Sequence, residues 1–154
     1  METLLNLLND FSKKYPQLKN VSIELVPYNN LYIARCLVDK IGNYIDVKKG
    51  RIINVIPRKI LLTEMVMNKN RENMLFIFIH ECTHGITPQR ERKVKNSYIR
   101  IDHSRQFYEN FLELLSYAYE LNYISYKFNN IEELMKRDNR QENVKNDLKL
   151  YNLH

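Results

Sequence analysis

The sequence predicts a single α+β domain over residues 1–154, with an N-terminal helix, a small, mostly antiparallel sheet, and C-terminal helices. Three observations indicate this class. An apolar stripe at helical spacing opens the chain, short strand-like runs follow over residues 21–56, and longer helical patterns begin at residue 71. The length of 154 residues and the hydrophobic content of 44% suit one domain with a real core.

The first helix is predicted from apolar residues that share one helical face, namely Leu4, Leu5, Leu7, Leu8 and Phe11. The pair Tyr15-Pro16 is expected to end it, because a residue before proline disfavours the helical conformation. We expect this helix to cover the sheet.

The sheet is predicted to have three or four strands, drawn from residues 21–26, 31–38, 44–47 and 51–56. The last two runs flank Lys48-Lys49-Gly50, which predicts a hairpin turn. Pro57 is expected to close the last strand.

A buried helix is predicted over residues 71–84, because this segment is apolar on most sides. Gly85 stands where a C-terminal cap is expected, and Pro88 follows it. Residues 86–101 show no hydrophobic period and carry many basic side chains, so they are interpreted as a long basic loop.

Two further helices are predicted after this loop. An apolar stripe marks the first, from about Phe107 to Leu121. A polar helix is expected from residue 131 to about residue 145, with a frayed tail beyond it.

Charge and cysteine content limit the environment of the protein. The formal charge of +6 fits either a solubility role or a preference for acidic partners, including nucleic acid. Cys36 and Cys82 form no disulfide framework, which favours a reducing compartment. The first residues lack the basic flank of a signal peptide, and the longest apolar run, residues 74–79, is too short to span a bilayer. We expect an intracellular protein, or a virion component, with no membrane contact.

The segment His80-Glu81-Cys82-Thr83-His84 is an HExxH motif within the predicted buried helix. Histidines four positions apart lie on one helical face, so both imidazoles can reach one tetrahedral Zn²⁺. Glu81 is placed to take a proton from a zinc-activated water and to pass it to a leaving amine. The motif therefore predicts zinc-dependent hydrolysis of a peptide bond in a protein or peptide substrate.

A catalytic zinc site usually has three protein ligands, so a third is needed. His103 is the expected one, because the preceding loop can fold it back onto the motif. A surface or helix-capping role is the alternative for His103, and His154 is interpreted as a mobile terminal residue. Glu109, Glu113 and Cys36 stay open as rival ligands.

Other residues near the motif are assigned supporting roles. Asp102 is expected either to orient a ligating histidine or to cap the helix after it. Cys82 is interpreted as a packed helix residue that points away from the ligand face. The candidates for stabilising an oxyanion are Tyr98, Arg100, Arg105 and Tyr108.

The basic loop over residues 86–101 adjoins the predicted metal. It is either a solvated loop or a surface that holds nucleic acid or an acidic substrate beside the zinc. Four downstream tyrosines could stack on bases, although their mixed spacing favours packing in the core and rim of a helix. They are Tyr117, Tyr119, Tyr123 and Tyr126.

Residues 80–115 resemble the SprT-like and WLM zinc metallopeptidases, which share an HExxH helix, a loop, and a third histidine followed by an aromatic residue. His103 and Phe107 match that last element. The resemblance implies a zincin-like domain of the minigluzincin type, with a substrate-binding edge strand upstream of the motif. The zinc ligands and the general base that it implies are His80, His84, His103 and Glu81.

Two functions of other classes remain as alternatives. The first is a non-catalytic protein that zinc stabilises, such as a structural component of a virion. The second is a nucleic-acid-binding module in which the HExxH motif is vestigial.

Overall fold

The computed structural model describes residues 1–47 and 50–139, and it has the α+β architecture that the sequence predicts. The helices are α1 (Glu2–Lys14), α2 (Glu64–Met67), α3 (Arg71–Ile86), α4 (Arg105–Glu120) and α5 (residues 131–139), with a 3₁₀ turn at Pro16–Leu18. The strands are β1 (Ser22–Val26), β2 (Ala34–Val47), β3 (Gly50–Thr63), β4 (Gln89–Val94) and β5 (Ser97–Ile101).

The sheet is mixed and is organised around β3. Strand β2 runs antiparallel to β3 along its length, β1 pairs in parallel with its C-terminal part, and β4 pairs with Gly50 to Ile53. Strand β5 continues the sheet beyond β4. The prediction of three or four mostly antiparallel strands is therefore wrong in number and misses the parallel pair. Among the described strands β2 pairs only with β3, which leaves its outer edge unpaired.

The strand boundaries also differ from the prediction. Pro57 does not close β3, which continues to Thr63. A register shift between Leu37 and Val38 accommodates the proline, which faces Val38 across the ladder. The two predicted runs at 31–38 and 44–47 belong to one strand, and the predicted turn at Lys48-Lys49 falls outside the described residues.

The segment predicted as a basic loop over residues 86–101 is mostly a β-hairpin. Its two strands, β4 and β5, join at Lys95 and Asn96, and Lys95 adopts a φ of 56°. Every residue of β5 is exposed, and charged side chains occupy most of β4. Neither strand has a buried residue and charged side chains interrupt the segment, so the alternation of a half-buried strand is short here, limited to residues 99–101.

Helix α3 packs between the sheet and α4. Asn70 caps its N-terminus, where the side-chain oxygen accepts a hydrogen bond from the Asn73 N–H at 2.9 Å. Phe76 and Phe78 are among its fully buried side chains and lie in the main hydrophobic core. This confirms the predicted helix over residues 71–84.

Gly85 is not the C-terminal cap of α3, because the helix runs on to Ile86. A Cβ atom at residue 85 would lie 2.9 Å from Cβ of Pro57 and 3.3 Å from Cδ2 of Leu18. The glycine therefore lets the end of the helix approach β3 closely. The sequence predicted a helix cap here because glycine suits both a helix C-terminus and a close approach of two backbone segments.

Gly85→Ala is expected to destabilise the fold by about 1–3 kcal/mol, as overpacking in a core does. The better helix propensity of alanine, worth about 1 kcal/mol, offsets only part of the clash. Urea unfolding followed by circular dichroism measures the change. The exposed α1 variant Asn6→Ala serves as a control, since it changes helix propensity without a clash. A net gain in stability for Gly85→Ala would contradict this account.

The first and last parts of the chain complete the core. Helix α1 ends at Lys14 with Tyr15 as its cap, as predicted. Residues 131–139 are helical, as predicted, and the rest of the predicted helix and tail, residues 140–154, lies outside the described part. Within the described ranges, no helix is both long and apolar enough to cross a membrane.

Candidate metal centre

Helix α3 presents two histidines at its C-terminal end. His80 and His84 are one turn apart, and their ring centroids are 5.0 Å from each other. Thr83, which lies between them in sequence, is fully buried, and its hydroxyl donates to the Ile79 carbonyl at 2.8 Å. The helix therefore holds the two imidazoles on one face, and the hydroxyl of the intervening Thr83 is satisfied within the helix.

His103 reaches the same place from the segment that joins β5 to α4. Its Nε2 atom lies 3.1 Å from Nε2 of His80, and one ligand atom from each of the three histidines lies within 4.8 Å of the others. The structure thus brings together the three predicted ligands. Of the rivals, Glu109, Glu113 and Cys36 are outside this group in the described residues, and His154 is in the undescribed tail.

The donor set suits a zinc ion. Two nitrogen ligands at about 2.0–2.1 Å from a tetrahedral zinc lie about 3.3 Å apart. The Nε2 atoms of His80 and His103, at 3.1 Å, are close to that separation. Three imidazoles with room for a fourth ligand are the donor set of several catalytic zinc sites.

Phe107 forms the floor beneath the three histidines. Its ring centroid lies 5.1 Å from that of His80, 4.5 Å from that of His84 and 4.8 Å from that of His103. The side chain is only 1% exposed, so it is fixed by the core. Phe107 therefore restricts the orientation of all three rings.

Asp138 on α5 orients His80. Its Oδ1 atom lies 2.8 Å from Nδ1 of His80, and its Oδ2 atom accepts a hydrogen bond from the Tyr108 hydroxyl at 2.9 Å. Asp138 is 1% exposed. Asp102, for which this role was predicted, instead forms an exposed ion pair with Arg100, and Ser104 caps α4. The capping role predicted for Asp102 is therefore wrong, and the orienting contact that the structure shows comes from Asp138.

The charge state of Asp138 fixes the tautomer of His80. Burial alone would raise the pKa of the Asp138 carboxyl, but its pKa is lowered because contacts with His80, His103 and Tyr108 outweigh burial. An ionised carboxylate can only accept, so Nδ1 of His80 carries the proton and Nε2 offers its lone pair. The stability that this pair contributes is present above the unfolded pKa, about 3.9, and is lost as the pH falls through the lower folded value.

The sequence contained a sign of Asp138 that the prediction missed. Asp138 lies four residues after the buried Leu134 and seven after Ile131, so it continues the inward face of α5. A carboxylate on an apolar stripe needs a partner, because an unpaired buried charge is costly. The partner, however, is 58 residues away in sequence, and only the tertiary structure identifies it.

Asp138→Asn is expected to weaken zinc binding about 10–100-fold, as is typical when the partner of a metal-ligating histidine is lost. The amide can reverse the hydrogen bond and favour the wrong tautomer of His80. Competition with a chromophoric chelator measures the affinity. Asp102→Asn is the matched control, since that carboxylate is 65% exposed and contacts Arg100. Equal zinc affinity for the two variants would contradict the role given to Asp138.

Glu81 lies beside the histidines and is 7% exposed. It lines a cleft of about 470 Å³ together with His80, His84 and His103. Cys36 borders the same cleft, and burial together with the nearby Glu81 raises the pKa of its thiol to about 12. Cys82 is fully buried in the core, as predicted for a packing residue.

The four residues predicted as candidates for stabilising an oxyanion lie in different surroundings. Only Arg100 lines the cleft. Tyr98 stacks under the Arg51 guanidinium at 4.1 Å, Arg105 pairs with Glu109 on the surface, and the Tyr108 hydroxyl donates to Asp138. Tyr108 thus has a positioning contact, and Tyr98 and Arg105 are engaged outside the cleft lining.

The downstream tyrosines mostly serve packing. Tyr117, Tyr123 and Tyr126 pack against the core, and the Tyr123 hydroxyl donates to Asp10 at 2.6 Å. Tyr119 is 40% exposed. This arrangement agrees with the interpretation as core and rim residues.

Comparison with family models, curated proteins and solved structures finds no match to this chain. The resemblance of residues 80–115 to the SprT-like and WLM metallopeptidases therefore stays a prediction from the motif and its spacing.

Proposed function

We propose that this protein is a zinc metallopeptidase with a zincin-like fold of the minigluzincin type. The observation that carries the proposal is the convergence of three imidazoles with a buried glutamate at one wall of an open cleft. His80, His84 and His103 would hold the metal. When bound, zinc would act as a Lewis acid that lowers the pKa of a water and polarises a peptide carbonyl.

Glu81 acts as the general base in this proposal. It is 7% exposed and lines the cleft beside the histidines, where a carboxylate can meet a water held at the metal. It takes the proton of the attacking water and delivers it to the nitrogen of the leaving amine.

The unpaired edge of β2 supplies a place for an extended substrate. The Thr63 N–H donates to the Ile33 carbonyl at 3.0 Å, so Ile33 and Thr63 form a hydrogen-bonded pair. By alternation, Ala34 and Cys36 direct their backbone groups away from β3 and toward the cleft that they line. A peptide in extended conformation can add to this edge as another strand.

The two alternative functions make different use of the same features. A zinc-stabilised structural protein has no need of an open cleft beside the histidines or of a buried Glu81. Binding of nucleic acid by the β4–β5 hairpin stays a prediction from the positive charge of the hairpin. Arg92, Lys93 and Lys95 are exposed and enter no ion pair within the described residues. Cleavage of an unfolded protein that depends on both zinc and Glu81 separates peptide hydrolysis from these alternatives.

A further inference from the structure

We propose that the cleft selects an acidic substrate: an extended polypeptide with a carboxylate side chain a few residues from the bond that is cut. This inference rests on the proposed peptidase function and names its substrate class. It is carried by two cations that line the cleft from different strands, Lys40 of β2 and Arg100 of β5.

Lys40 lies on the side of the sheet that faces the metal centre. Ala34 and Cys36 face the buried Leu62 and Ile60 across the ladder, which places both on the inner face of the sheet beneath α3. Past the register shift at Leu37 and Val38, Val38 faces the buried Pro57, and Lys40 lies two residues further on, so Lys40 is on the same face. The lysine is exposed and forms no ion pair with any residue that the structure describes.

Arg100 lines the cleft from β5 and has a replaceable partner. Its Nε atom lies 2.9 Å from Oδ1 of Asp102, and the two side chains are 54% and 65% exposed. An ion pair so exposed contributes only about 0–1 kcal/mol. A substrate carboxylate can therefore compete for the guanidinium at little cost.

The spacing along β2 sets where the acid would bind. Cys36 lines the cleft together with Glu81, so it marks the position of the reacting bond along β2. Lys40 is four residues further along, which is about 13 Å in an extended strand. The complementary carboxylate would thus lie roughly two to four residues from the reacting bond, given the reach of a lysine side chain.

The residues just before β2 add an apolar part to the cleft. Arg35 also borders the cleft, but by alternation its side chain is on the opposite face of β2 from Ala34 and Cys36. Leu31 lines the apolar part and is 70% exposed, although its backbone is held in a turn in which the Asn29 side chain accepts from the N–H groups of Leu31 and Tyr32. Tyr32 lines the same part. The fixed backbone presents an apolar side chain to solvent, where it can contact an apolar residue of the substrate. The acid preference is therefore expected on one side of the reacting bond only.

The test uses quenched fluorescent peptides that differ only in carrying Glu, Gln or Lys at one position, scanned over four residues on each side of the bond. Zinc-loaded wild-type protein is expected to prefer Glu to Lys roughly 5–10-fold in kcat/KM at one end of the scan, and less at high salt. Lys40→Glu is expected to invert the ratio of kcat/KM for the Glu peptide to that for the Lys peptide. This ratio does not depend on the fraction of the variant that is folded. Lys127→Glu, an exposed position outside the cleft, should keep the wild-type ratio.

Equal rates for the three peptides, or an unchanged ratio of kcat/KM for Glu and Lys peptides in Lys40→Glu, would overturn the acid preference. Either result would leave the proposed peptidase function standing. If the wild type cuts none of the peptides, their binding to zinc-loaded Glu81→Gln is measured by fluorescence anisotropy. A Glu preference in binding without any cleavage upholds the acidic partner and refutes the peptidase. Competition by an oligothymidylate that is lost in Lys40→Glu would assign the cations to nucleic acid and overturn the proposal.

Discussion

Glu81→Gln is expected to reduce zinc-dependent peptide hydrolysis by about 10²–10⁴-fold, the usual contribution of a general base. Glutamine has nearly the same shape but cannot accept the proton of the attacking water. Glu81 is outside the group of three histidines that would bind the metal, so zinc should stay bound. The measurement is single-turnover cleavage of an unfolded protein, with the zinc content determined on the same sample.

Glu109→Gln provides the matched control for this substitution. Glu109 is on α4, where it pairs with Arg105 at the surface. Its substitution makes the same chemical change away from the cleft. Wild-type rates are expected for this variant. Full activity in Glu81→Gln would refute the mechanism even if zinc binds as proposed, and loss of zinc from Glu81→Gln would show that the glutamate is a ligand.

His103→Ala is expected to weaken zinc binding by more than about 100-fold, beyond the 10–100-fold typical for the loss of an outer hydrogen-bond partner. The remaining pair, His80 and His84, provides only two nitrogens, and catalytic zinc sites usually need three protein ligands. Competition with a chromophoric chelator gives the affinity, and unfolding in excess chelator shows that the metal-free variant has the stability of the metal-free wild type.

Cys36→Ser accompanies this experiment as a control. Cys36 borders the cleft but is outside the group of three histidines, so its variant should retain wild-type zinc affinity. Zinc binding that survives in His103→Ala and falls in Cys36→Ser would exchange the roles of the two residues. That result would restore the cysteine as the third ligand, the rival that the sequence left open.

The sequence predicted that the three histidines lie together, because the main part of this group is local. His80 and His84 share a helical face by spacing alone, and the apolar context of residues 71–84 predicts the helix that carries them. His103 needed one further step, namely that the intervening segment can turn back. The structure brings it within hydrogen-bond distance of His80 through a hairpin rather than through the loop that was predicted.

The remaining features depend on contacts between distant parts of the chain. Asp138 contacts a histidine on another helix, and no local pattern specifies that pairing. The parallel pairing of β1 with β3 likewise joins segments whose alternation fits either direction. Gly85 was misread because the close approach of Pro57, which requires it, exists only in the folded sheet.

X-ray absorption at the zinc edge on the purified wild-type protein tests the central claim most directly. We expect one zinc per chain, with three imidazole nitrogens and one oxygen at about 2.0–2.1 Å, and with one imidazole fewer in His103→Ala. A protein that binds no stoichiometric zinc, or a zinc with sulfur or fewer than three imidazole ligands in the wild type, would contradict the assignment of His80, His84 and His103.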